Sequence, residues 1–104
     1  MTDLPVACNL IPAELQKRRR NILAKLLVAV SETTELENGF QYSFKPEGEL
    51  ISELGKLIQL EHQCCPFLTF RLTVEPEGGS VLLEMTGPEG TKEFLLEVFA
   101  PADA

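Results

Sequence analysis

The chain has 104 residues, 44% of them hydrophobic, enough for a domain with a core of its own. Its formal charge is −7, with 16 acidic against 9 basic side chains. That balance argues against nucleic-acid binding, where affinity rests on basic groups meeting phosphates. No apolar run approaches a membrane span and no basic-then-apolar leader precedes a cleavage site, so the expectation is a cytoplasmic protein, one domain over residues 1–104, with reduced thiols and no membrane partner.

In chain order, Leu4-Pro5-Val6-Ala7-Cys8 reads as a short strand, at an edge because proline has no amide to donate. Pro12 suits the first turn of a helix, and Glu14 is well placed against its dipole. Leu15, Ile22, Leu23, Leu26 and Val30 form one stripe of a helix over about residues 12–30. Arg19 falls on that stripe and Arg18 toward its edge. The basic run 17–20 otherwise reads as a solvated helix side. Residues 31–38 are polar and acidic and read as a connection, with Asn38-Gly39 as a turn signal. Phe40, Tyr42 and Phe44 alternate with Gln41, Ser43 and Lys45, the pattern of a half-buried strand.

Pro46-Glu47-Gly48 breaks that strand and opens a second helix, with apolar residues at Leu50, Ile51, Leu54, Leu57 and Ile58. On a wheel centred on Leu54, Glu61 lands about 20° off centre and Cys65 about 20° off on the other side. Cys64 and His62 fall at opposite edges of the stripe. A carboxylate in the middle of an apolar face breaks the local rule, and such breaks concentrate at functional or strained sites. It must find hydrogen bonds or a cation, or else stay neutral. An arginine of the first helix is a candidate partner; the bland alternative is an arginine stem snorkelling to solvent. Pro66 then ends the helix, which makes Cys65 the residue that leaves it.

Beyond Pro66, Leu68, Phe70, Leu72 and Val74 alternate with polar residues as a strand. Glu75-Pro76-Glu77-Gly78-Gly79 is a turn, and Val81, Leu83 and Met85 mark the returning strand of a hairpin. Gly87-Pro88-Glu89-Gly90 turns again into a short helix carrying Phe94, Leu95, Val98 and Phe99. The expected order is (β)αβαββα. The expected fold is α+β, a two-layer sandwich in which a three- or four-stranded sheet carries the helices on one face and keeps the other wet.

The chemistry concentrates in Glu61-His62-Gln63-Cys64-Cys65-Pro66-Phe67, which holds two of the three cysteines and the one histidine. Thiolates with a carboxylate or imidazole suit zinc-like and softer metal ions. Cys64, Cys65 and Glu61 are the local ligand candidates, His62 is a weaker one, and Cys8 joins if the fold brings it close. Adjacent cysteines on a helix diverge by about 100°, so both reach one ion only if the helix breaks at Pro66. A thiol nucleophile is the second reading. Cys8, ahead of the first helix, gains from its dipole, whereas Cys64 and Cys65 sit at a C-terminus that opposes ionisation. Cys65 stays the other nucleophile candidate. The blandest reading is that the cysteines only pack.

The marks Ala7-Cys8-x-Leu10 with Pro12 and Arg18, Gly39-Phe40, Glu61-x-x-Cys64-Cys65-Pro66-Phe67-x-x-Phe70 and Thr86-Gly87-Pro88 span nearly the whole chain. In them the chain resembles a family of small bacterial proteins with an E-x-x-C-C-P-F motif. The resemblance implies a stand-alone cytosolic domain linked to metal or thiol stress, and it groups Cys8, Arg18, Glu61, Cys64 and Cys65. It hands over no catalytic residue. A second resemblance, of layout alone, is to small sulfur-carrier proteins, which carry a Cys-Pro-x-Pro motif; here the residues run Cys8-Asn9-Leu10-Ile11-Pro12, so that motif is absent. Three functions follow as expectations. The first is binding of a soft metal or metalloid ion through cysteines. The second is a thiol enzyme, redox protein or sulfur carrier acting on a small thiol-reactive ligand. The third is an interaction module whose cysteines only pack.

Overall fold

Strands β2 (Gly39–Phe44), β3 (Thr69–Val74) and β4 (Val81–Thr86) follow the apolar–polar alternation of their sequences, as a sheet with one covered face requires. The computed structural model describes residues 12–98, so the expected strand at residues 4–8 and Cys8 itself lie outside the described residues. Helices α1 (Ala13–Ala29), α2 (Leu50–Cys64) and α3 (Thr91–Val98) complete the α+β architecture with strand β1 (Val30–Leu36). The sheet is four-stranded in the order β1-β2-β4-β3, antiparallel throughout.

Strand β1 corrects the expectation of a connection over residues 31–38. It pairs with β2 from Val30↔Phe44 to Leu36↔Gly39, with an irregularity between Val30 and Glu32, and Glu37-Asn38 make the tight turn between them. The segment looks like a loop because it is an edge strand, with Ser31 through Glu35 all exposed. Charged, threonine-rich residues on such an edge also deter pairing with other chains. Gly39 is required where this hairpin meets β4: a Cβ there would overlap the Met85 carbonyl oxygen and press the Thr86 backbone.

The core lies between the sheet and the helices. Tyr42, Phe44, Val81, Leu83 and Met85 of the covered face are buried. Ile22, Leu23 and Leu26 of α1 meet them, together with Leu50, Leu54, Leu57 and Leu60 of α2. Leu95 brings α3 into the same cluster, and Phe94 meets Phe67 edge to face at 5.0 Å between ring centroids. Fully burying one such side chain contributes about 1.5–3 kcal/mol. The opposite sheet face carries Gln41, Ser43, Arg71, Thr73 and Glu84, all at least partly open to solvent. Helix α3 begins at Thr91, where the buried hydroxyl donates to the Pro88 carbonyl at 2.6 Å. No helix among the described residues is long and apolar enough to cross a membrane.

Burial pushes the Tyr42 phenol from the ordinary 10.0 up to about 12. The folded chain therefore holds this proton more tightly than the unfolded chain does. The stabilisation is fully present below pH 10 and is lost as pH rises from there through about 12. We expect a loss of about 2–3 kcal/mol across that window, read as a falling urea midpoint. Tyr42→Phe should remove the part of the decline that follows phenolate absorbance, and an equally steep decline in that variant would disprove the assignment.

Candidate functional site

Helix α2 carries its apolar stripe one turn too far, and that extra turn makes the site. Leu50, Leu54 and Leu57 face the core, and continuing the stripe places Glu61 there as well, with no exposed surface at all. Cys64 is the last helical residue and is 6% exposed. Cys65 caps the helix with φ −123° and ψ 78°, and its backbone N–H still donates to the Glu61 carbonyl at 2.6 Å. Pro66 explains this break, because its ring disfavours the α region for the residue before it. The altered backbone also overcomes the divergence of neighbouring helical side chains. A carboxylate oxygen of Glu61 and the sulfurs of Cys64 and Cys65 all lie within 4.8 Å of one another.

The cation that Glu61 requires comes from α1. Arg19 Nε donates to Glu61 Oε2 at 2.7 Å, across 42 residues of sequence, with the arginine side chain 15% exposed. The Cys65 thiol lies 3.7 Å from the same oxygen, within reach of a weak S–H donation. Burial alone would lower the Arg19 guanidinium pKa. The hydrogen bond and charge of Glu61 outweigh that effect, and the charges of Cys64 and Cys65 add to them, so the guanidinium is held above its ordinary value. Among the described residues, two buried polar atoms of this group have no hydrogen-bond partner: Arg19 Nη2 and Glu61 Oε1.

The structure thus brings Glu61, Cys64, Cys65 and Arg19 together. Arg18 is exposed and lines a groove between α1 and α2 with Glu53, Lys56 and Gln59. His62 is exposed and outside the cluster, because a step of 100° from Glu61 turns it off the buried face. The two orphaned atoms are features that sequence reasoning missed. Their one signal is the count of valences, since a guanidinium and a carboxylate offer more than one bond can satisfy.

The arrangement holds two soft donors and one hard anionic donor around a small buried point, with a permanent cation beside them. Such a set can hold an ion or a small electrophile. The depth of Cys65, 0% exposed, does not suit attack on a bulky substrate. No family model, curated protein or solved structure matches the chain.

Proposed function

We propose that the chain binds a soft metal or metalloid ion through Cys64 and Cys65, with Glu61 as third ligand or as the group that orients them. One observation carries this reading: three ligand atoms of two chemical types lie within 4.8 Å of one another and are buried. That limit is about twice a metal–thiolate bond length of roughly 2.3 Å, so one ion spans any pair of them with little movement. Thiolates select zinc-like and softer ions over magnesium or calcium. Cys8, outside the described residues, is a further ligand candidate on the sequence expectation alone.

Native mass spectrometry of the reduced chain with zinc, cadmium and mercury(II) tests the reading. The expected result is one ion per chain at low micromolar concentration, lost in a Cys64→Ala/Cys65→Ala variant that keeps its circular dichroism. Equal uptake by both forms, or none by either, would sink the proposal.

The alternative of a nucleophilic thiol draws support from the placement of Cys65, whose sulfur lies 3.7 Å from the Glu61 oxygen that Arg19 also holds. It predicts one fast-reacting cysteine in the native chain. Slow and equal labelling of all thiols by a small alkylating reagent would count against it.

A further inference from the structure

From Arg19 Nη2 and Glu61 Oε1, a buried donor and a buried acceptor left without partners beside two thiols, we propose that the ligand is a trivalent metalloid oxyacid, of the arsenous or antimonous type, held by Cys64 and Cys65 and recognised through a retained hydroxyl.

This rests on the ion-binding reading and narrows it. A bare cation seated among Glu61, Cys64 and Cys65 uses the three donor atoms but offers no acceptor to Arg19 Nη2 and no hydrogen to donate to Glu61 Oε1. A neutral oxyacid that keeps a hydroxyl carries both functions. A hydroxyl oxygen accepts from Arg19 Nη2, and its hydrogen is donated to Glu61 Oε1. Burying a donor or an acceptor without a partner costs about 1–3 kcal/mol, so a ligand that satisfies both relieves an existing penalty. Glu61 is wholly buried and Arg19 nearly so, which keeps water from competing freely for these bonds.

The step balances without an oxidant or a reductant. Two thiols condense with one trihydroxy centre. Two metalloid–oxygen bonds break, and two metalloid–sulfur bonds form at Cys64 Sγ and Cys65 Sγ. The two thiol protons leave with the two displaced hydroxyls as water. The third hydroxyl stays on the metalloid, whose oxidation state does not change. Neighbouring cysteines suit this product, because a pyramidal centre needs two sulfurs on one side, and the non-helical Cys65 backbone puts both near Glu61.

The test uses the reduced chain of 104 residues with arsenite as the metalloid probe and cadmium as the bare-cation probe. Intact mass spectrometry should show one arsenic per chain, with the mass of the trihydroxy acid less two waters. Arg19→Lys keeps a cation but removes the second nitrogen of the guanidinium fork. It should weaken arsenite binding by about ten- to a hundredfold, the range of a charge-assisted hydrogen bond, and weaken cadmium binding by a clearly smaller factor, because cadmium makes no bond to the lost nitrogen. Cadmium binding without arsenite binding overturns the inference and leaves the ion reading standing. Binding of neither overturns both. Loss of three waters in the wild-type adduct means that no hydroxyl is retained and also overturns the inference, whatever the stability of the variant. Equal losses for both probes in Arg19→Lys do the same.

Discussion

Arg19→Met is expected to destabilise the metal-free, reduced chain by about 3 kcal/mol or more, and replacing Glu61 by leucine in the same chain should restore most of that loss. Removing one partner of a buried ion pair leaves the other charge uncompensated, at a typical cost of roughly 3–5 kcal/mol. Here the abandoned partner is Glu61, which has no exposed surface and keeps a weak Cys65 thiol contact at 3.7 Å. Against a total stability of about 5–15 kcal/mol for a domain, that is a large fraction. For a domain near this size it lowers the melting temperature by about 10 °C or more. The double variant removes both charges and continues the stripe of Leu54 and Leu57. Replacing a buried pair with apolar groups of similar volume is often neutral or stabilising.

Urea titration of the two single variants and the double variant closes the cycle. A restored double variant means that the pair costs the fold more than it returns, so its place in the core needs another reason, and the neighbouring thiols supply one. If the double variant is the least stable of the set, the pair is structural and the case for a ligand site weakens. Exposed pairs offer a control. Lys92 bonds Glu35 at 2.7 Å on the surface, and removing it should change stability by less than about 1 kcal/mol.

Much of this architecture is legible in the sequence because the elements are amphipathic. Phe40-Gln41-Tyr42-Ser43-Phe44 and Val81 to Met85 alternate because one face is covered, and Leu50, Leu54 and Leu57 recur because one side of α2 is. Strand β1 is illegible for the same reason in reverse. It owes its form to a backbone ladder with β2 and not to burial, so Ser31 through Glu35 carry no hydrophobic record of being a strand. Glu61 is visible as a charge in the apolar stripe of α2, and the stripe of α1 selects Arg19 over Arg18. His62 lies next to Glu61 in sequence yet outside the cluster, since adjacency along a helix is not adjacency on its face. Which carboxylate oxygen is bonded, and which guanidinium nitrogen is left over, depends on side-chain rotation that no spacing encodes.

Saturating arsenite, or cadmium if that ion binds more tightly, should raise the melting temperature of the wild-type chain by about 10 °C or more and leave Cys64→Ala/Cys65→Ala unmoved. A ligand that binds the folded chain stabilises it by RT ln(1 + [L]/Kd), about 4 kcal/mol at a thousandfold excess over Kd. Two neighbouring cysteines also capture a soft ion when unfolded, and that competing capture reduces the gain. What remains is the contribution of the fold, which aligns the sulfurs with Glu61 and Arg19. Glu61→Gln separates that contribution. It keeps the size and both thiols but removes the carboxylate charge, so its rise should be well below that of the wild type. The packing reading predicts otherwise: the double cysteine variant loses stability from two small core cavities, and the ion moves neither protein. The alanine substitutions alone should therefore lower the ligand-free melting temperature, and the ion should widen the gap between the two proteins severalfold. If the gap stays constant on addition of either probe, Cys64 and Cys65 serve the core and not a ligand.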